Sequence, residues 1–343
     1  MQARYFGGIQ GLRAIAAFLV VIQHAIFCAY VWRGDAYPDP PPVRLGAIGV
    51  TLFFAISGFV IALNRHRPVG RFAAHRLLRI YPAYWIAAGL TLCLLAFSLQ
   101  PAKISMAAFF LWPTRHPVDL IIPYWTLIYE MIFYAIAVVL FFFRLGDRAL
   151  TLLACLWIGI INVSGYVPAD ATEFTFPAFR LLISPITQVL PLGFICGVHF
   201  DKIVERTRVG WLLGFVPVGC GISLLFPEFS SFRFLALGIS ACLVILALAA
   251  RRVKSSVPLM LGDASYGIYL MHFPLMLLVA PYATNLTFIG AFTMFVCVGA
   301  IGGVGFGLLE YHLVYKRLVA FVEGWRRPIL FGGANIKDEA ISK

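Results

Sequence analysis

The sequence predicts an all-α integral membrane protein of about ten transmembrane helices, with both termini in the cytoplasm. Of its 343 residues, 61% are hydrophobic and only 12% are charged, which is about half the charged share of a soluble domain. The mean hydropathy is +0.90. A water-soluble chain of this length cannot bury so much apolar surface, so the excess requires lipid as its solvent.

Apolar segments long enough to cross a bilayer follow one another along the chain, since a hydrocarbon core of about 30 Å needs roughly twenty helical residues. The predicted spans cover residues 9–30, 46–63, 81–99, 120–143, 149–166, 181–200, 209–226, 232–250, 263–281 and 288–309. The apolar stretch 106–112 is too short to span and is predicted to lie at the interface. Residues 1–330 are assigned to one transmembrane domain, and residues 331–343 are predicted to form a disordered cytoplasmic tail.

Basic residues set the predicted orientation. The net charge is +12, from 27 Lys and Arg against 15 Asp and Glu, and the even-numbered loops hold most of the positive charge. The second loop holds Arg65, Arg67, Arg71, Arg76 and Arg79. The positive-inside rule therefore places the even loops and both termini in the cytoplasm. The basic residues occur in short clusters between apolar segments. This pattern argues against nucleic acid as a partner and favours contact with membrane lipids.

The cysteines give no sign of a metal or redox centre. The chain has seven Cys, which are scattered singly, and no Cys-x-x-Cys pair occurs among them. They are interpreted as small apolar packing residues, and no metal is expected.

Ionisable residues inside apolar spans are candidate functional residues, because they are costly in lipid unless they are paired or face a cavity. Arg13 and His24 share the first span; at eleven residues apart they lie about 20° off one helix face and roughly 16 Å apart along it. Glu130 lies inside the fourth span, and His272 lies inside the ninth. Each could instead be structural: the histidines as hydrogen-bonded core residues, and Glu130 as the partner of Arg13 or a loop arginine.

The basic segment RHRPVGRFAAHRLLRIYPAYW allows two interpretations. Arg71, His75, Arg76 and Arg79 can share one flank of a helix. Positive charge at this position can bind anionic lipid headgroups, or it can hold the phosphates of a cytoplasmic cofactor, for which arginine offers bidentate contacts. In the last span, glycines at positions 299, 303 and 307 predict close helix packing.

Five segments, in this order, resemble the acyltransferase-3 family of bacterial membrane acyltransferases. They are IQGLRAIAAFLVVIQH, GVTLFFAISGFVI, RLLRIYPAYW, YWTLIYEMIFY and ASYGIYLMHFP. The first is similar to the family's opening helix, with an Arg, ten residues and a His; the fourth and fifth are similar to its Trp-x-Leu-x-x-Glu-x-x-Phe-Tyr and Ser-Tyr-x-x-Tyr-x-x-His elements. The ordered resemblance covers nearly the whole chain. The sequence around Glu130 is most similar to that of the family branch that O-acetylates exopolysaccharides.

The resemblance implies transfer of an acyl group, with acetyl favoured, from acetyl-CoA to a sugar hydroxyl of an exported polysaccharide or its lipid-linked precursor. His24 would act as the base or carry the acyl group itself, and Arg13 and Glu130 would orient the reacting groups. The oxyanion donor is left open among Tyr134, Tyr266 and His272. The implied CoA-binding residues are Arg65, Arg67, Arg71, Arg76, Arg79 and Tyr81. The implied location is the bacterial inner membrane.

Two other classes of function are compatible with the buried charges. A transporter or flippase of a polysaccharide or lipid-linked intermediate would also have about ten helices, and a non-catalytic scaffold would tolerate substitutions at His24 and Glu130. The sequence leaves open the sugar, the hydroxyl, the side of the membrane on which transfer ends and the oligomeric state, with a dimer as one candidate.

Overall fold

The computed structural model describes residues 6–38, 41, 43–97, 106–113, 124–166, 178–207, 209–251 and 255–324. Within these ranges every regular element is a helix, which confirms the all-α prediction. The predicted tail, residues 331–343, lies outside the described residues. The orientation of the two termini stays a prediction.

The described residues form fourteen α-helices, α1 to α14 in chain order. They are α1 (Gly7–Val31), α2 (Leu45–Leu63), α3 (Val69–Phe97), α4 (Met106–Phe109), α5 (Trp125–Phe142), α6 (Asp147–Ser164), α7 (Ala178–Ile183), α8 (Val189–Val198), α9 (Phe200–Arg206), α10 (Val216–Ser223), α11 (Ser231–Ala249), α12 (Ser256–Val279), α13 (Phe288–Leu309) and α14 (Lys316–Gly324). A π-helical turn, Glu310–Tyr315, joins α13 to α14.

Among the described residues, eight helices are long and apolar enough to cross a membrane. The sixth and seventh predicted spans instead contain the shorter apolar helices Pro185–Val198 and Gly210–Ser223. A proline explains the first case: Ser184, which precedes Pro185, is extended at ψ 136°, because a proline disfavours the helical region for the residue before it. The sequence therefore predicts the sixth and seventh apolar segments correctly but overestimates their length as continuous helix.

Helix α3 begins earlier than predicted. It runs unbroken from Val69 through Pro82, whereas the sequence predicted a span from residue 81. The basic segment therefore forms the first turns of a transmembrane helix and not a loop. This matters for the site, because Arg76 and Arg79 are held at fixed positions on a helix face.

Helix α12 packs against α13 through backbone contacts that only glycine permits. A Cβ atom added at Gly267 would lie 2.2 Å from the Cα of Gly307, and one added at Gly307 would lie 2.3 Å from the carbonyl oxygen of Ala264. A Cβ at Gly303 would lie 3.0 Å from the Cα of Ile268. The prediction of close packing by the glycines of the last span is confirmed, and α12 is thereby held firmly beside α13.

Replacing Gly307 with valine should force α12 and α13 apart. Overpacking of this kind costs about 1–3 kcal/mol, so we expect a lower unfolding temperature for the detergent-purified protein. Gly305→Val is the matched control, since Gly305 lies two residues away on the same helix and has no atom within 4 Å of an added Cβ. Equal unfolding temperatures for the two variants would contradict the packing role.

Candidate active site

A cavity of about 460 Å³ lies between α1, α2, α3, α5, α12 and the π-helical turn. Its polar lining consists of Gln10, Arg13, Ser57, Asn64, Arg67, His75, Arg76, Arg79, Glu130, Tyr134, Tyr266 and Tyr315. Among these described residues four arginines face one carboxylate. The cavity is therefore electropositive and suited to an anionic ligand.

Arg76 and Arg79 enter this cavity over aromatic rings. The Arg76 guanidinium lies 5.4 Å from the ring centroids of both Phe72 and Tyr134, and Arg79 lies 5.2 Å from that of Tyr266 and 4.9 Å from that of Tyr315. The rings stabilise the cations without using their N–H groups. Nε of Arg76 and Nη1 of Arg79 are buried without a hydrogen-bond partner among the described residues. Buried donors of this kind are normally satisfied, so the cavity offers N–H groups to a ligand.

Glu310 is a carboxylate that the sequence analysis did not single out. It is 3% exposed, it is the first residue of the π-helical turn, and its Oε2 lies 3.9 Å from Nη1 of Arg79. Neither carboxylate oxygen has a hydrogen-bond partner among the described residues. Short π-helical segments inside helices are frequent at functional sites. The predicted last span ends at residue 309, so the hydropathy pattern gives no sign that Glu310 is buried.

Glu130 is held by hydroxyl groups. Ser57 donates a 2.7 Å hydrogen bond from Oγ to Oε1 of Glu130, and the hydroxyl of Tyr134 donates to the same oxygen. A carboxylate at this depth is predicted to need a cationic or hydrogen-bonding partner; besides the two hydroxyl groups, Arg13 faces the same cavity and interacts electrostatically with Glu130. No hydrogen bond joins the Arg13 guanidinium to another described residue. Arg13 is therefore available to a ligand, and Ser57 is a site residue that sequence reasoning missed.

A second, smaller cavity of about 50 Å³ borders the first. The two share Arg13, Ser57, Glu130 and Tyr266, which form a neck between them. The far wall of the smaller cavity includes Tyr269, whose hydroxyl is 2.6 Å from Oγ1 of Thr126. The polar interior thus extends from the arginines past Glu130 to Tyr269.

The two membrane histidines contact each other next to Tyr269, and neither is among the lining residues of these two cavities. Nε2 of His272 lies 3.0 Å from Nδ1 of His24, and the ring of His272 lies 6.1 Å from that of Tyr269. His272 is fully buried. Pro274, two residues after His272, has no N–H for the Leu270 carbonyl, and that carbonyl accepts a 3.1 Å hydrogen bond from the hydroxyl of Tyr124 instead.

Several predicted residues lie apart from the cavities between α1 and α12. Arg65 forms a bidentate ion pair with Asp147, at 2.7 and 2.9 Å, and lines a separate pocket that Arg67 also borders. Arg71 is exposed and is not among the lining residues of the main cavity. The hydroxyl of Tyr81 donates to the carbonyl of Phe110 at 2.8 Å. For Arg65 and Tyr81 the visible contacts are structural, and Arg71 fits the lipid-facing interpretation.

The predicted oxyanion donors already donate to protein groups. Tyr134 donates to Glu130, and the hydroxyl of Tyr266 donates to the carbonyl of Ile80 at 3.2 Å. Because a tyrosine hydroxyl has one proton, either must break that bond to serve a substrate. The Arg13 guanidinium donates no hydrogen bond to another described residue, and it faces both cavities.

Comparison with known proteins gives a consistent result. The model of a protein family described as an acyltransferase domain, acyltransferase-3, matches residues 6–309. The exopolysaccharide production protein ExoZ of Rhizobium meliloti (strain 1021) is 29% identical over 300 residues, which cover 80% of this chain and 90% of that protein. No solved structure matches the chain. Glu310 lies immediately after the matched segment.

The free-energy cost of burying the Glu310 carboxylate should depend on Arg79. Arg79→Ala leaves a buried carboxylate without its cation, which costs about 1–3 kcal/mol of unfolding free energy; adding Glu310→Gln should recover part of that loss. The measurement is a double-mutant cycle of chemical unfolding in detergent, in which contacting residues show coupling of about 0.5–3 kcal/mol. If Glu310→Gln has the same effect with and without Arg79, the two side chains are not coupled.

Proposed function

Because this chain belongs to the acyltransferase-3 family, we propose that it transfers an acetyl group from acetyl-CoA to a sugar hydroxyl in an exported polysaccharide or its lipid-linked precursor. Membership of the family and the membrane-spanning helices make the protein a membrane acyltransferase. The donor, the acetyl group, the acceptor and a location in the bacterial inner membrane are parts of the proposal.

The observation that supports acetyl-CoA as the donor is the electropositive cavity, in which arginine N–H groups have no hydrogen-bond partner among the described residues. Acyl-CoA is an anionic thioester with several phosphate groups. Arg76 and Arg79 present buried donors without partners among the described residues, and charge-assisted bonds from arginine to phosphate are among the stronger hydrogen bonds in proteins. The second cavity shares Arg13 and Glu130 with the first, and its wall includes Tyr269, whose ring lies 6.1 Å from that of His272. A thioester arm bound by its phosphates would therefore point toward the buried histidines.

The chemistry follows from the side chains along this route. His24 takes the proton of the acceptor hydroxyl as its oxygen bonds to the thioester carbonyl carbon. Negative charge develops on the carbonyl oxygen. Arg13 lies roughly 16 Å from His24 along α1, so its guanidinium, which faces both cavities, orients the bound donor and does not contact the carbonyl group at His24. Collapse of the resulting tetrahedral intermediate breaks the carbon–sulfur bond, and the departing thiolate receives the proton from His24. The products are an O-acetyl ester and CoA, and His24 returns to its neutral form.

The acceptor class is proposed from the relative. ExoZ of Rhizobium meliloti is named as an exopolysaccharide production protein, and the family match gives the reaction class. An acyltransferase that lies within the membrane meets exported glycans and their lipid-linked precursors there. A surface polysaccharide is therefore the acceptor that best unites the two findings.

Deletion of the gene should remove O-acetyl esters from the cell-surface polysaccharide, and His24→Ala should fail to restore them although it inserts into the membrane. Loss of a general base lowers turnover about 100-fold or more. Mass spectrometry of the polysaccharide and an assay with labelled acetyl-CoA measure this, with His312→Ala as the control, since His312 lies near Lys316 at the end of the bundle. Retained acetylation in His24→Ala would overturn the assignment.

A flippase would change the amount of exported glycan and would not bind acetyl-CoA in calorimetry.

Arg76→Ala should raise the KM for acetyl-CoA. Loss of hydrogen bonds from a charged donor costs about 1.5–3 kcal/mol, which corresponds to roughly 10–100-fold in affinity. Arg71→Ala is the matched control: it removes the same charge from the same helix at an exposed position that does not line the main cavity. Equal KM values for the two variants would show that general positive charge, and not this cavity, attracts the donor.

A further inference from the structure

We propose that His272 is a positioning residue that selects the tautomer of His24 and leaves Nε2 of His24 as the nitrogen that accepts a proton. This inference rests on the proposed acyl transfer and adds to it the role of the second histidine. It gives His272 a role other than the oxyanion hydrogen bond, for which the sequence left Tyr134, Tyr266 and His272 as alternatives.

The protonation of His272 follows from its two neighbours. Its Nδ1 lies 3.0 Å from the carbonyl oxygen of Ile268, one turn earlier on α12. A carbonyl oxygen only accepts, so this nitrogen must carry the hydrogen. In the neutral ring Nε2 is then a lone-pair acceptor, and it is the atom that lies 3.0 Å from His24.

The protonation of His24 follows in the same way. Its Nδ1 lies 3.1 Å from the carbonyl oxygen of Val20 and 3.0 Å from Nε2 of His272. Both neighbours are acceptors, so Nδ1 of His24 carries the hydrogen and shares it between them. The neutral ring has one N–H, and Nε2 of His24 is therefore unprotonated.

The opposite tautomers are disfavoured at both ends of the pair. If Nδ1 of His24 carried the lone pair, it would face the Val20 carbonyl oxygen at 3.1 Å with no hydrogen between them. If Nδ1 of His272 carried it, the same contact would arise with Ile268 at 3.0 Å. Two backbone carbonyls on two helices thus favour one proton arrangement, because a ring lone pair that faces a carbonyl oxygen at this distance is repelled by it and the N–H on the other side of the ring would lose its acceptor.

Burial assigns different roles to the two rings. His272 is fully buried, and both of its nitrogens have hydrogen-bond partners within the protein, so it has no N–H left for a substrate. His24 is only half-buried, and its Nε2 is the one ring nitrogen of the pair without an assigned bond to a described residue. His24 is therefore the member that meets the acceptor hydroxyl, and His272 acts through it.

The pair also accommodates the proton during transfer. When Nε2 of His24 takes the hydroxyl proton, the imidazolium keeps its Nδ1–H bond to the neutral acceptor Nε2 of His272. No proton passes to His272. Its function resembles that of the orienting group in a nucleophile–base–orienter arrangement, which holds the base in the correct tautomer.

Two substitutions at position 272 separate this role from a packing role. In His272→Gln the side-chain amide reaches the place of Nε2 and its oxygen can accept from His24. In His272→Asn the amide reaches the place of Nδ1 and can donate to Ile268, but it is too short to reach His24. We expect kcat to fall about 100-fold or more in His272→Asn and by less than about tenfold in His272→Gln, with the KM for acetyl-CoA unchanged in both.

The comparison of kcat between His272→Asn and His272→Gln also shows which result would contradict the inference. A kcat for His272→Asn equal to or above that of His272→Gln would overturn the inference, since a packing role depends on the Ile268 bond and not on His24. Absence of acetyl-CoA binding and transfer in the wild-type protein would instead overturn the proposed function. A second measurement needs no variant to be active: ¹⁵N-histidine NMR of the wild-type protein, with His24 assigned by loss of its signals in His24→Asn. We expect a protonated Nδ1 and an unprotonated Nε2; the reverse would overturn the inference.

Discussion

The free-energy cost of a charged or polar group in hydrocarbon governs the interior of this bundle. Arg13, Glu130 and the two histidines lie on helices that are long and apolar enough to cross a membrane, so each must find a polar partner inside the protein. Glu130 finds hydroxyl groups, and the histidines find each other and their own backbone carbonyls. Arg13 is left facing a cavity. The polar interior is the place where those requirements are met, and it coincides with the candidate site.

Close backbone contact positions this interior. Glycines allow α12 to lie directly against α13, and Gly58 and Gly193 do the same for α2 and α8, where an added Cβ would lie 2.0 and 2.1 Å from a facing carbonyl oxygen. Helix α12 also packs against α1, which brings His272 to His24. Contacts as close as these leave little freedom for the helices to shift, so hydrogen bonds of 3.0 Å between side chains on different helices can be maintained.

Much of the fold and part of the site were predictable from local pattern. Hydropathy located the apolar segments, and the eleven-residue spacing placed Arg13 and His24 on one face of α1. Other features depend on neighbours that no local pattern specifies. Ser184 interrupts the sixth segment because of the following proline. The hydroxyl partners of Glu130 come from another helix and from one turn along its own, and the cation beside Glu310 comes from α3, which carries Arg79.

By itself the sequence determined that the chain is an all-helical membrane protein, that Arg13, His24, Glu130 and His272 are costly enough in lipid to mark a site, and that glycines pack the last helices. Only the tertiary structure decided which arginines face the cavity, that Arg65 is neutralised by Asp147, and that the two histidines share a hydrogen bond. The reason is physical. Transfer energies and helix periodicity are properties of one segment, whereas pairing, cavity lining and tautomer depend on distances between segments far apart in the chain.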